Sequence, residues 1–165
     1  MNIKQFLFAD RRMAWLWLIV RLYVGWVWLM AGWEKIGNPA WTGDQAGIAL
    51  AGFVKGALAK TVGEHPDVSG WYASFLQNFV ASHTAFWSYL VAYGEVLVGI
   101  ALILGLFTTL AAFFGGFMNL NYLLAGTVSI NPQLLVLALL LLVAHKIAGW
   151  WGLDRFVLPK LRHGQ

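Results

Sequence analysis

The sequence predicts an all-α membrane protein, a transmembrane four-helix bundle with a helical outer loop, and three observations lead to this prediction. The chain of 165 residues is 60% hydrophobic and only 11% charged, whereas about a quarter of the residues in a soluble domain are charged. It contains 10 tryptophans, and tryptophan is enriched at membrane–water interfaces. Four segments reach the roughly 20 apolar residues that a membrane-spanning helix needs. We therefore expect a single integral membrane domain over residues 1–165.

The four predicted spans contain most of the apolar sequence and cover residues 13–32, 86–104, 106–125 and 133–151. The first is too long for the apolar core of a signal peptide and lacks a small-residue cleavage site, so we interpret it as a retained span. The second and third spans are joined around Gly105, which leaves room only for a tight turn. Before the fourth span, Asn131 is the predicted N-cap and Pro132 the predicted first helical residue.

The cationic residues outside the spans predict the orientation of the chain. The cations that flank the first and the fourth span are Lys4, Arg11, Arg12, Arg155, Lys160 and Arg162. An even number of spans places both termini on one side of the membrane, and the positive-inside rule makes that side the cytoplasm. The formal net charge of +4 is explained by this inner face, so we predict no nucleic-acid partner.

The long connection between the first two spans predicts a helical outer segment over about residues 44–82. VSGWYASFLQNFV, residues 68–80, repeats its apolar residues at the spacing of one face of an amphipathic helix. DQAGIALAGFVKGALAK, residues 44–60, is a weaker second case. Such helices lie in the outer membrane interface or fold over the ends of the spans as a lid, and the sequence leaves both arrangements open.

Two charged residues fall inside predicted spans. Arg21 lies about eight residues into the first span and Glu95 about nine into the second, so a rise of 1.5 Å per residue puts both near the middle of the bilayer. A charge in the centre of a span costs about 2.5–3.5 kcal/mol on insertion scales, and pairing Arg21 with Glu95 reduces that cost. The pair is either an inter-helix clamp or a proton or ligand site.

Polar residues of the third and fourth spans share the same predicted interior. Helical spacing places Asn119 and His145 on faces that can turn towards Arg21 and Glu95. Hydrogen bonding between helices is the alternative for Asn119, and for His145 the alternative is a hydrogen-bonded residue near the inner face. Haem is not expected, since no second histidine lies within a span. The chain has no cysteine, which excludes thiol catalysis and thiolate metal sites, and we predict no metal.

The outer end of the first span supplies the last candidate residues. Glu34 and Lys35 lie where this span leaves the membrane, either as an interfacial anchor pair or where a substrate enters. Lys35 would then attract an anion, together with the helix that begins at Asn131, because a helix N-terminus favours negative charge. Trp28 lies deeper in the span and is expected to stack on a ring.

Four motifs in a fixed order resemble the DoxX/DoxD family of small four-helix membrane proteins: VRLYVGWVWLMAGWEKI, GEVLVGIALILGLFTTLAA, GTVSINPQ and GLDR. The resemblance extends from Val20 to Arg155, and the long outer segment and the Asn131–Pro132 corner are closest to the DoxD-like branch. DoxD is the small membrane subunit of a thiosulfate:quinone oxidoreductase, which joins two thiosulfates into tetrathionate and passes the electrons to quinone beside a second subunit, DoxA. The resemblance implies the cytoplasmic membrane of a prokaryote.

The predicted function is therefore a quinone-linked membrane oxidoreductase, or its subunit, that oxidises a sulfur oxyanion such as thiosulfate. Glu95, Arg21 and Glu34 are the predicted catalytic residues. Quinone and anion contacts are assigned to Lys35, Trp28, Asn119, His145 and Asn131. Expected partners are membrane lipid, quinone, a small anionic substrate, a DoxA-like subunit or other redox partner, and further copies of the chain. The alternatives are a non-catalytic scaffold for a redox partner and a small-anion transporter, the latter weakened by the lack of an internal repeat.

Overall fold

The computed structural model describes residues 2–163, and this part of the chain consists of helices joined by turns and loops, without strands. Its α-helices are α1 (Ile3–Ala9), α2 (Ala14–Ile36), α3 (Pro39–Thr42), α4 (Ile48–Leu58), α5 (Gly70–Phe75), α6 (Thr84–Leu104), α7 (Thr108–Leu124), α8 (Asn131–Val143) and α9 (Asp154–His163). The prediction of an all-α fold is confirmed. We call the end that carries α3–α5 the outer end and the end that carries α1 and α9 the inner end.

Helices α2 and α6 form the closest antiparallel contact of the molecule, and glycines set its register. A Cβ atom on Gly32 would lie 2.7 Å from the backbone nitrogen of Val96, and one on Gly99 would lie 2.5 Å from the backbone nitrogen of Leu29. A Cβ atom on Gly25 would lie 3.0 Å from the carbonyl oxygen of Gly99. Small residues at these positions let the two backbones approach, so the glycines fix which residues of α2 and α6 are level.

Helices α7 and α8 complete a set of four that pack side by side. Gly105, with φ of 63°, turns the chain from α6 into α7, as predicted. Helix α7 contacts α6 and α8, and α2 contacts α8. A Cβ atom on Gly116 of α7 would lie 3.3 Å from the Cβ atom of Ala138, so these helices also approach closely. The buried core between the four includes Trp17, Val24, Trp28, Leu102, Ala112 and Leu141.

The fourth predicted span, residues 133–151, is helical only in its first part. Helix α8 ends at Val143, and residues 144–151 continue as successive turns. Thirteen residues rise only about 20 Å. The turns bring Asp154 back to the α6–α7 turn, where its amide donates to the carbonyl oxygen of Gly105 at 2.8 Å. Gly149 makes this return possible, because a Cβ atom there would overlap the Asp154 carboxylate.

The start of α8 also differs from the prediction. The N-cap is Ile130, and no side chain caps the helix. Asn131 is instead the first helical residue, and its Nδ2 donates to the carbonyl oxygen of Thr127 at 3.0 Å. The Asn131 side chain therefore stabilises the turn before α8 rather than the helix amides.

The outer segment packs against the outer parts of α6 and α7. The predicted helix over residues 68–80 is not separate, because α5 continues through one π-helical turn, Leu76–Val80, and a 3₁₀ turn, Ala81–His83, into α6. The weaker predicted helix over residues 44–60 is confirmed as α4. A second apolar core joins this layer to the end of α7 and includes Leu50, Val54, Val68, Tyr72, Leu76 and Ala125. Lys60 also links the outer segment to the turn after α7, because its Nζ donates to the carbonyl oxygen of Gly126 at 2.6 Å.

Two helices in the described part of the chain are long and apolar enough to cross a membrane. They are the helical stretches Arg11–Ile36 and Gly70–Leu104, which contain α2 and α6. Helix α8 is apolar but shorter. The two stretches contain the first two predicted spans, residues 13–32 and 86–104, and are longer than them.

Candidate functional site

Glu95 lies at the centre of a buried polar group formed by three helices. Its carboxylate is on α6 and is only 1% exposed. Lys35 of α2 donates to Oε2 with Nζ at 2.7 Å, and the hydroxyl of Tyr122 on α7 donates to Oε1. We call Lys35, Glu95 and Tyr122 the polar triad. The Lys35–Glu95 contact is the one salt bridge among the side chains of residues 2–161.

Lys35 reaches the triad because α2 extends beyond the predicted span. The helix ends at Ile36, which puts Lys35 in its last turn and level with the outer part of α6. The lysine side chain is only 18% exposed, and its Nζ lies 5.2 Å from the centre of the Trp41 ring. The ammonium group therefore points into the protein, where Glu95 neutralises it, and is not presented to an external anion.

The predicted pairing of Arg21 with Glu95 is wrong. The glycine contacts place Gly32 opposite Ala92 and Val96, so Glu95 is level with the outer part of α2. Arg21 lies instead against Gly105. The two charges are therefore separated by roughly ten residues of helix, or about 15 Å along its axis. The two charges are not level in the membrane because the inner end of α2 extends roughly two turns beyond that of α6.

Arg21 is part of a separate inner group with Asp154. Its Nη2 donates to the carbonyl oxygen of Trp151 at 2.8 Å, and the guanidinium lies against Gly105 and Gly152. The two carboxylate oxygens of Asp154 accept from the backbone amides of Phe107 at 2.6 Å and Thr108 at 2.9 Å. This carboxylate satisfies amides at the start of α7, which otherwise lack partners. The inner group ties the α6–α7 turn to the end of the chain.

An apolar cavity of 420 Å³ lies between the outer segment and helices α6 and α7. Its walls are almost entirely aliphatic and aromatic, and they include Trp41, Phe53, Met118 and Tyr122. Leu97 and Phe117 also line it and are 66% and 55% exposed. The cavity therefore opens sideways between α6 and α7, on an apolar face of the molecule.

Tyr122 connects this cavity to the buried carboxylate. Its ring lines the cavity, and its hydroxyl donates to Glu95. On the other side, the Trp28 ring stacks on it with the ring centres 6.4 Å apart and an interplanar angle of 25°. Phe53 contacts its ring edge-to-face at 5.9 Å. Tyr122 is thus held between fixed rings at the boundary of an apolar space and a charged group.

Trp28 and Asn119 are buried behind Tyr122. Trp28 is 2% exposed and Asn119 is fully buried. Neither the indole nitrogen nor the two polar atoms of the carboxamide has a hydrogen-bond partner in the described part of the chain. A Cβ atom on Gly115, one turn before Asn119, would lie 2.9 Å from the indole nitrogen. Trp28 therefore positions Tyr122 rather than lining the cavity.

The remaining predicted site residues lie away from the triad. His145 is exposed, and its Nδ1 lies 3.1 Å from the carbonyl oxygen of Leu142. The prediction that it faces the interior is wrong, because α8 ends two residues earlier. Glu34 is exposed, since it precedes Lys35 on the helix and points to a different side. Asn131 is occupied in the turn before α8.

The sequence reasoning missed the roles of Tyr122 and Asp154. Tyr122 follows Asn119 by three residues on one face of α7, so helical spacing brings it to the same interior. Asp154 falls in the GLDR motif, but its distance along the chain from Phe107 gives no local signal of a cap. No cluster of three or more metal-ligating side chains occurs between residues 2 and 163.

A family model described as DoxX matches residues 16–127, which is more than half of the chain. The matched region contains all three residues of the polar triad and the whole outer segment, and it ends before α8 and Asp154. No curated protein matches the chain, and no solved structure does.

Proposed function

The chain belongs to the DoxX family, a family of membrane proteins often linked to quinone oxidoreductases, and on this premise we propose that it is a quinone-linked membrane oxidoreductase or the membrane subunit of one. The observation that carries the proposal is the contact between the polar triad and the apolar cavity through Tyr122. In this proposal the cavity binds quinone, and the polar triad donates the protons that the quinone takes up on reduction.

The shape and the lining of the cavity support a quinone as the ligand. Its volume of 420 Å³ falls within the range of about 300–1,000 Å³ that is usual for small-molecule sites. Mostly apolar walls with a few polar groups are typical of such sites. A quinone combines an apolar ring and tail with two carbonyl oxygens, so it can be held by Trp41 and Phe53 while one oxygen meets the Tyr122 hydroxyl. The sideways opening suits a ligand that is dissolved in the bilayer.

The triad provides the groups that quinone reduction needs. A quinone takes up two electrons and two protons to become a quinol. The Tyr122 hydroxyl can donate a proton to the reduced oxygen, and the resulting tyrosinate can be reprotonated from the Lys35 ammonium through the Glu95 carboxylate, because the three groups are hydrogen-bonded in series. Lys35, whose side chain is 18% exposed, then recovers a proton from water, and a second round supplies the second proton. Glu95 and Tyr122 are the proposed catalytic residues, and Arg21 takes a structural role.

The electron donor is proposed to be a sulfur oxyanion such as thiosulfate, as the DoxD resemblance implies. Two thiosulfates form one sulfur–sulfur bond and release two electrons, which matches the demand of one quinone. Since Glu95 neutralises Lys35, we assign the anion site to a second, DoxA-like subunit or another redox partner. The exposed Glu34 is not assigned a catalytic role.

The proposed topology has four membrane-crossing helices in the cytoplasmic membrane of a prokaryote, with both termini in the cytoplasm. Helices α2, α6 and α7 supply three crossings, and α8 with the turns after it supplies the fourth. Cations concentrate at the inner end, where Lys4, Arg11, Arg12, Lys146, Arg155 and Lys160 lie. The positive-inside rule then sets the direction.

Binding and reduction of decylubiquinone by the protein in liposomes test the proposal. Tyr122→Phe keeps the ring but removes the hydroxyl, so quinone should still bind while its reduction by thiosulfate, with the redox partner present, slows by about 100-fold. Glu95→Gln should have a similar effect. Tyr93→Phe is the matched control, because Tyr93 is exposed on α6 and does not line the cavity, and it should match the wild type. Equal rates for the Tyr122→Phe, Glu95→Gln and wild-type proteins would exclude the proton role.

A further inference from the structure

At the inner end of the molecule, two arginine side chains contact the same tryptophan ring. The Arg11 Cζ atom lies 3.9 Å from the centre of the Trp150 ring, and the Arg155 Cζ atom lies 4.9 Å from it. The first arginine opens the 3₁₀ turn before α2, and the second is the second residue of α9. The fold therefore brings two guanidinium groups together from opposite ends of the chain. We call Arg11, Trp150 and Arg155 the arginine pair site.

No carboxylate in the described part of the chain neutralises these two arginines. Asp10, next to Arg11, accepts from the backbone amide of Arg12. Both oxygens of Asp154, next to Arg155, accept from the amides at the start of α7. The acids that adjoin the two arginines in sequence thus accept from backbone amides, and neither arginine forms a salt bridge with a described residue. Two cations that share one ring repel each other unless an anion joins them.

The N–H donors of both arginines are available to a ligand. Both residues are exposed, and neither guanidinium donates a hydrogen bond to the side chains or backbone that the structure describes. A guanidinium presents its N–H donors as a planar fork. Phosphate oxygens accept from such a fork in pairs. The chemistry of the site therefore fits a phosphate group.

The surroundings of the arginine pair site favour the phosphate of a lipid over free phosphate. Trp151 follows Trp150 in the sequence and is 57% exposed, and Phe156 follows Arg155 and is 62% exposed. Helix α9 also exposes Leu161 by 57%. Exposed indoles and apolar side chains beside cations are typical of the headgroup level of a membrane. A soluble anion would leave these apolar side chains in water.

We propose that Arg11 and Arg155 bind the phosphate of an anionic phospholipid, such as phosphatidylglycerol, whose acyl chains cover the apolar side chains next to the site. This site is at the inner end, whereas the cavity and the polar triad are towards the outer end. The proposal does not depend on the proposed quinone chemistry. It gives the basic inner end a specific ligand, in addition to the general attraction between cations and an anionic membrane.

Native mass spectrometry of the full-length protein, with phosphatidylglycerol titrated in detergent, tests the proposal. Replacing both arginines, by Arg11→Gln with Arg155→Gln, should weaken phosphatidylglycerol binding by about tenfold, because charge-assisted hydrogen bonds are lost. The matched control, Arg12→Gln with Lys146→Gln, removes the same charge from exposed positions at the same end and should change binding by less than about twofold. Circular dichroism melting in detergent identifies any variant that is unfolded.

A conservative variant and a soluble probe complete the test. Arg11→Lys with Arg155→Lys keeps the charges but not the planar forks, so its binding should fall between those of the wild type and the glutamine variant. Glycerol 3-phosphate should not bind at concentrations at which phosphatidylglycerol saturates the site. The proposal is overturned if both charge-removing variants weaken binding equally, if neither does, or if glycerol 3-phosphate binds as tightly as the lipid.

Discussion

At the scale of single residues, Lys35 and Glu95 decide whether the polar triad is a proton site or a clamp. Each charge is withdrawn from water and is compensated by the other at 2.7 Å. A buried pair of this kind contributes little net stability, but removal of one partner leaves an uncompensated charge. Stability and activity can therefore be separated by changing one or both residues.

Lys35→Met alone should lower the free energy of unfolding by about 3 kcal/mol, because Glu95 loses its cation. Adding Glu95→Leu should recover most of this loss, since no buried charge then remains. Thermal unfolding in detergent measures both changes, and Lys55→Met, on an exposed part of α4, is the control for loss of a surface cation. A loss for Lys35→Met no larger than for Lys55→Met would contradict the buried ion pair.

The same double variant distinguishes the proposed oxidoreductase from a scaffold. Lys35→Met with Glu95→Leu should keep the fold and the redox partner but lose quinone reduction. A scaffold would retain its cellular function in this variant, because the triad then serves stability alone.

The two residues also show what the sequence can and cannot predict about the site. That Glu95 is buried and paired follows from one charge in an apolar span, and the structure confirms it. The identity of the partner does not follow, because counting residues from the ends of two spans assumes that the ends are level. The contacts of three glycines stagger α2 against α6 instead. Glu95 therefore pairs with Lys35, and Arg21 lies at the inner turn.

At the scale of the helices, the glycine contacts between α2 and α6 control the position of the triad. A Cβ atom on Gly99 would meet backbone and side-chain atoms of Leu29 at 2.5–2.7 Å, and backbone atoms cannot move aside without shifting the helix. Gly52 on α4 has no neighbouring atom within 4 Å. The two positions share a helical backbone but differ in the space around them.

Gly99→Ala should therefore destabilise the protein by about 2 kcal/mol through overpacking, despite the better helix propensity of alanine. Gly52→Ala should instead stabilise it by up to about 1 kcal/mol, because only the propensity changes. Unfolding of both variants in detergent, followed by circular dichroism, measures the difference. A stable Gly99→Ala protein would mean that α2 and α6 do not approach as closely as described.

Helix boundaries differ in how well hydropathy predicts them. Helices α2 and α6 are found within a few residues, because long apolar windows bounded by polar segments mark both. The end of α8 is missed, because Ile147 and Ala148 are as apolar as the helix before them. Those residues are buried in turns instead. The turns lead to Asp154, whose amide donates to Gly105, and a contact between residues about 50 positions apart leaves no mark on local periodicity.

At the scale of the whole molecule, the outer segment and the chain termini lie at opposite ends of the packed helices. The proposed topology places these ends on opposite sides of the membrane. The chain has no cysteine, so single introduced cysteines report on each side without further engineering.

Lys55→Cys and Lys160→Cys, made separately, should react from opposite sides with a thiol reagent that does not cross the membrane. In intact cells, only Lys55→Cys should be labelled, and Lys160→Cys should react only after the membrane is opened. Arg12→Cys is the control for the inner side and should behave like Lys160→Cys. Labelling of all three in intact cells would rule out cytoplasmic termini.

The hydrogen bond from Arg21 to the carbonyl of Trp151 joins residues that are 130 positions apart, and this separation has a consequence for biosynthesis. A ribosome makes Arg21 long before the segment that receives its guanidinium and caps α7. Until residues 151–154 have been translated, the growing chain holds a cation in its core without its acceptor and the start of α7 without its carboxylate. Translation of residues 151–154 is thus the step that completes the inner group, and a chain truncated before Trp151 lacks both contacts permanently.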